Sequence, residues 1–112
     1  MSLKIRRYAK FTAKVTALVR IANEAWFDTA LQATNVQSGS LTAMRLQVSL
    51  DTASVIEISL DNGVTWAALF KNVALKINTL YEFYIDVETT DQINFRATLA
   101  VTVNRARLDQ LL

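Results

Sequence analysis

The chain has no cysteine, no histidine and no proline, and only two of its 112 residues are glycine. Without cysteine there is no disulfide framework, no thiol nucleophile and no thiolate metal site. Without histidine there is no Ser-His-Asp triad, no Cys-His pair and no imidazole ligand for zinc or iron. Gly39 and Gly63 are too few for a phosphate-cradling loop, and Ser38-Gly39-Ser40 lacks the G-x-S-x-G frame of a nucleophile elbow. The longest apolar runs are short and broken by polar or charged residues such as Thr, Arg or Asp, so no transmembrane helix is expected. The basic start, Met1 to Tyr8, is not followed by an uninterrupted apolar stretch, so no secretory signal is expected either. These absences argue against most enzyme classes and suit a soluble, disulfide-free protein made inside the cell.

Hydrophobic residues make up 52% of the chain. At this length one compact domain is expected, burying roughly 65% of the unfolded surface. Charge is unevenly spread. Lys4, Arg6, Arg7, Lys10, Lys14 and Arg20 precede the first acid, Glu24, so residues 1–23 carry +6 and the remainder −4 of an overall +2. A basic arm on a mildly acidic body suits an acidic partner surface or nucleic acid. The arm lacks a dense Lys/Arg run, so nucleic acid is the weaker option. The plain alternative is the solvated face of a strand or helix.

Period-two alternation dominates the pattern. From Ala9 to Ile21 the odd positions are apolar, with Lys10, Thr12, Lys14, Thr16, Leu18 and Arg20 between them. Met44, Leu46, Val48 and Leu50 form a second such series, and Ile56, Ile58 and Leu60 a third. Tyr81, Phe83, Ile85 and Val87 follow, then Ile93, Phe95, Ala97 and Leu99. Each segment can bury one face against a second layer. A last strand, Ala100 to Leu108, starts with Val101 and Val103 inward and then places Arg105 and Arg107 at apolar positions. Either a bulge re-aims it after Asn104, or it is an edge strand whose arginines deter strand addition. Residues 23–34 read two ways: a short helix capped by Asn23 with Trp26, Ala30 and Ala33 on one side, or a strand lined by Phe27, Thr29 and Leu31. Turns are expected at 35–40, 51–54, 61–63 and 88–91. Seven or eight short strands with turns every 8–12 residues predict an all-β antiparallel sandwich, jelly-roll or immunoglobulin-like, spanning 1–112, with 1–8 as a basic N-terminal arm.

The most specific local feature is Ser59-Leu60-Asp61-Asn62-Gly63-Val64-Thr65-Trp66, which resembles the Asp-box hairpin, S-x-D-x-G-x-T-W. Asn-Gly supplies positive φ, the Asp61 carboxylate can accept from turn amides, and Trp66 can pack the hairpin on the sheet. In the sialidase-type propellers it resembles, the box is a folding device remote from catalysis and recurs several times, whereas here it occurs once. Ser59, Asp61, Asn62, Gly63, Thr65 and Trp66 are therefore expected to be structural. Asp86, Glu88 and Asp91 cluster at a turn, and Glu82 shares a strand face with Asp86. A glycosidase needs two carboxyls flanking a cleft, whereas turn acids are far more often solvated, and the spacing is not that of an EF-hand. Trp26, Phe27, Trp66, Tyr81 and Tyr84 could form a sugar-stacking platform, with core or interface packing as the alternative.

From Ser59 to Leu112 the chain resembles accessory virion proteins of tailed phages, and is similar to capsid decoration (cement) proteins. Leu80-Tyr81-Glu82-Phe83, Ile93-Asn94-Phe95-Arg96 and Val101 to Asp109 carry the likeness, together with the D-N-G-x-T-W hairpin and the basic start. The absent proline and glycine-poor loops depart from lambda-type decoration proteins and point to another sandwich lineage. The resemblance implies a non-enzymatic structural subunit without cofactor or metal. It would bind the major capsid protein on the outside of the shell, with no membrane contact and nucleic acid not expected, as a homo-oligomer with a trimer favoured. Lys4, Arg6, Arg7, Lys10 and Lys14 would be its partner-binding residues. The alternative is a carbohydrate- or receptor-binding module of a phage tail or fibre.

Overall fold

A computed structural model describes residues 9–34 and 41–111. Seven strands form two antiparallel sheets packed as a β-sandwich: β1 (Ala9–Arg20), β2 (Thr42–Leu50), β3 (Ile56–Ser59), β4 (Ala67–Ala68), β5 (Tyr81–Val87), β6 (Asn94–Ala97) and β7 (Val101–Leu111). The larger sheet has the order β1-β7-β2-β5 and the smaller one β4-β3-β6.

β2 follows its alternation without exception: Met44, Leu46, Val48 and Leu50 are wholly buried. Full burial of one such side chain contributes roughly 1.5–3 kcal/mol, so this strand anchors the core. Opposite it lie Ile56 of β3 and Phe95 and Ala97 of β6, with Trp26, Phe27, Ala33 and Leu75 closing the ends from the connecting segments.

β7 lies between β1 and β2, so it is a central strand and not the edge strand its arginines allowed. The phase change is a bulge at Asn104. Ser49 pairs with Arg105 and Leu50 with Val103, leaving Asn104 as the extra residue. Before the bulge Val101 and Val103 are buried; after it Ala106 and Leu108 are, and Arg105 and Arg107 turn to the outer face. One inserted residue re-aims every later side chain because the side-chain period is two.

β1 departs from strict odd-inward alternation. Ala13 and Val15 pack on the core, but the register shifts between Phe11 and Ala13, and Ala17 has a left-handed φ of 49°. After Ala17 it is Leu18 that turns inward, while Phe11, Val19 and Ile21 are exposed at 54%, 72% and 70%. Leu60 and Leu99 are exposed as well, because β3 ends at Ser59 and β6 at Ala97.

Residues 23–34 form neither the helix nor the regular strand. They run beside β6 and the residue before it: Asn23 N donates to Ala97 O (2.9 Å), Trp26 N to Phe95 O (2.9 Å) and Leu31 N to Ile93 O (2.8 Å). The buried Asn94 side chain fills a gap in this irregular ladder. Its Oδ1 accepts from Phe27 N at 3.1 Å and its Nδ2 donates to Phe27 O at 2.8 Å. The Arg20 guanidinium ties down the same segment through Ala25 O (2.9 Å) and Trp26 O (3.3 Å). This basic residue therefore serves the fold.

Candidate functional site: the outer face of the four-stranded sheet

The registers set the outward side chains of the large sheet in rows. One row reads Phe11, Asp109, Arg45, Tyr84; the next reads Lys14, Arg107, Gln47, Glu82; Arg105 lies beside Thr16 and Ser49 in a third. At the centre Asp109 is wholly buried although its strand partners place it on the outer face. Two guanidinium groups cover it. Arg45 Nη2 donates to Oδ2 at 3.0 Å, and Arg107 Nε donates to Oδ1 at 3.0 Å and Oδ2 at 3.1 Å. The bond to Asp109 holds the Arg45 pKa above its ordinary value. The Arg107 guanidinium in turn lies 5.1 Å from the centre of the Phe11 ring, a cation–π contact.

This face has more donors than acceptors. Among the described residues Arg45 Nε and Arg105 Nε are buried without a hydrogen-bond partner, and Arg105 has only a long bond, 3.5 Å, to Gln47 Oε1. Lys14 stands directly across from Arg107, a like-charge pair that disfavours the isolated sheet. Buried donors lacking acceptors carry a free-energy cost within the sheet, and it is the partly exposed ends of the guanidinium groups that an incoming acceptor can reach. Carboxylates fit this geometry best, since a guanidinium presents a planar fork of N–H groups.

The anticipated partner-binding residues are not brought together. Lys4, Arg6 and Arg7 lie outside the described residues. Lys10 pairs with Gln110, whose side chain bonds the Thr34 backbone, and Lys10 Nζ itself donates to Thr34 Oγ1 at 2.8 Å. The bulge at the start of β1 thus puts Lys10 and Lys14 on opposite faces. Arg45, Arg105 and Arg107 were not anticipated as binding residues. The two arginines at apolar positions of β7 were the available signal, and only the β2–β7 register shows that Arg45 joins them.

Several other acids act as acceptors within their own loops or strands. Asp61 Oδ1 accepts from Ser59 Oγ (2.8 Å) and Thr65 N (2.9 Å), and Oδ2 from the Thr65 hydroxyl. Those donors, the Thr65 hydroxyl foremost, lower its pKa to about 2. Asn62 and Gly63 have φ of 60° and 83°, Gly63 N donates to Ser59 Oγ at 2.8 Å, and Trp66 Nε1 donates to Gly63 O at 3.1 Å. The Trp66 ring lies under Arg96, 4.4 Å from its guanidinium carbon, and Arg96 Nε donates to Glu57 at 2.7 Å. Asp51 is held below the carboxylate range by the Thr102 amide at 2.7 Å, and Glu82 by the Tyr84 hydroxyl at 2.5 Å. At the turn of Asp86, Glu88 and Asp91, the Glu88 amide donates to Asp91 at 2.8 Å; no group of three or more metal-binding side chains occurs among the described residues.

The five aromatics do not share a surface. Trp26 and Phe27 are core, Trp66 is half-buried on the smaller sheet, Tyr81 stacks on Phe83 on the inner side, and Tyr84 alone is well exposed, at 63%. A cleft of about 280 Å³ lies between Val19–Ile21, Asp51–Thr52 and Ala100–Thr102 at one end of the sandwich. Comparison with protein-family models, with curated proteins and with solved structures returned no match.

Proposed function

We propose that the protein is a non-enzymatic structural subunit, a decoration or cement protein that binds acidic surface on the outside of a viral capsid. The observation that carries this reading is the donor-rich outer face of the large sheet. Arg45, Arg105 and Arg107 present partly exposed guanidinium groups there, and the exposed Lys14 opposes Arg107. A sheet face that presents several guanidinium groups is suited to docking on a protein surface that supplies carboxylates. The three acids with shifted pKa values, Asp51, Asp61 and Glu82, are all shifted downward by donors, opposite to what a general acid needs. The resemblance of Ser59–Leu112 to phage decoration proteins supplies the capsid as the particular partner.

The test is to locate the protein in particles assembled from the genome that encodes it, by cryo-electron microscopy with labelled protein. The proposal expects regular density on the outer shell with the Arg105 face turned toward the capsid. Protein found only in the soluble lysate, or only on the tail, contradicts it.

A further inference from the structure

Both outer strands of the four-stranded sheet have an unpaired edge among the described residues: β1 pairs only with β7, and β5 only with β2. Such an edge is a template for another strand. The inward side chains on both are only half covered: Ala13, Val15 and Leu18 on β1, and Tyr81, Phe83 and Ile85 on β5. The two edges also differ in charge. On the outer face β1 carries the exposed Lys14, which makes no ion pair among the described residues and stands beside Arg107, whereas β5 carries the exposed Glu82 and Asp86. The described ion pairs involve Arg20, Arg45, Arg96 and Arg107 with other acids, so Glu82 and Asp86 have none either.

Strand direction completes the match. Neighbours in this sheet alternate, so β5, fourth in the order, runs opposite to β1. A second copy set beside the first in the same orientation brings its β5 antiparallel against β1, with both inner faces on the same side. We propose that copies of this chain associate head to tail in this way, β1 of one beside β5 of the next, with Lys14 answered by the acids of β5. The symmetric alternatives fit worse. A two-fold β1–β1 contact sets lysine edge against lysine edge, and a β5–β5 contact sets acid against acid. The bulge near Thr12 and the left-handed Ala17 bound the regular stretch of β1 to 13–16, around Lys14, which limits the register a neighbour can adopt. A heterologous contact closes into a ring when its rotation allows, and three copies make the smallest such ring. The inference adds a self-association to the capsid proposal and rests on the same sheet face, but it is tested on isolated protein, so either can fail without the other.

The experiment is sedimentation velocity on the full chain across a wide concentration range at low salt, with thermal melts in parallel. Wild type is expected to sediment as a multiple of 12.5 kDa. Lys14→Glu, and separately Glu82→Lys with Asp86→Lys, are expected to fall to the monomer mass while still folded. All three reversals in one chain are expected to restore the assembly. As a measurement that needs no variant, backbone amides of β1 and β5 should gain hydrogen-exchange protection together as concentration rises, and those of β6 should not. A wild-type monomer at every concentration overturns the proposal. So does an assembly that Lys14→Glu leaves intact, a folded triple variant that stays monomeric, or protection that does not rise on both edges.

Discussion

Asp61 commits both carboxylate oxygens to its own loop, and its low pKa, about 2, measures how much those donors prefer the ionised form. An unfolded chain would return it to about 3.8. The contribution to stability is therefore complete above that value and is lost as pH falls through about 2. Denaturation midpoints measured from pH 6 down to pH 2 should decline in this window, and Asp61→Asn should start lower and decline less. Gly63 adopts φ of 83°, and a Cβ there would meet Trp66 Cζ2 at an ordinary 3.6 Å, so the cost of Gly63→Ala is conformational, about 1 kcal/mol. Asp109 behaves differently from these loop acids. Its removal leaves Arg45 and Arg107 facing each other over a buried gap, and Asp109→Ala should lose about 2 kcal/mol in denaturant unfolding, less than a fully buried triad because both arginines are partly exposed.

Among the elements, β7 depends most on a single residue. Deleting Asn104 would remove the bulge and turn Arg105 and Arg107 toward the core, so the variant should fail to give a cooperative thermal transition. The Asn104→Gly variant keeps the residue count and should retain the fold. The irregular segment 23–34 hangs on Asn94. Asn94→Ala leaves the Phe27 N–H and C=O buried without that partner, and should cost about 2 kcal/mol and raise amide exchange in 23–34 ahead of β2. These two elements also show what was readable from sequence. Alternation gave β2 its buried face, and the arginines of β7 announced a phase change, because both are local period-two signals. Whether β7 lay at an edge or in the centre depended on pairing with β1 and β2, which no local pattern carries. Residues 23–34 escaped both readings because their backbone follows β6 and an asparagine side chain, not an internal repeat. The Ser59–Trp66 loop was legible because its hydrogen bonds span few residues; the Arg45–Asp109–Arg107 cluster was not, because it joins strands 64 residues apart.

At the scale of the whole molecule, the sandwich is asymmetric: four strands face three, and the outermost strands of the larger sheet are the half-covered ones. Its outer face runs from a basic side at β1 and β7 to an acidic side at β5, with Arg45 between. The central arginines serve the proposed capsid contact and the acids of β5 the proposed self-association, with Lys14 common to both, so substitutions at Arg105 and at Glu82 and Asp86 separate the two. The most direct test uses capsid shells assembled without this protein, from the genome that encodes it. Their thermal disruption is measured with no addition, with wild type added and with Arg105→Glu added. Wild type is expected to raise the disruption temperature, with the gain shrinking at higher salt where the contacts are exposed. Arg105→Glu should lose most of that gain while its own melting temperature stays unchanged. Shells that are as stable without the protein as with it, or an Arg105→Glu variant that protects them equally, would contradict the account.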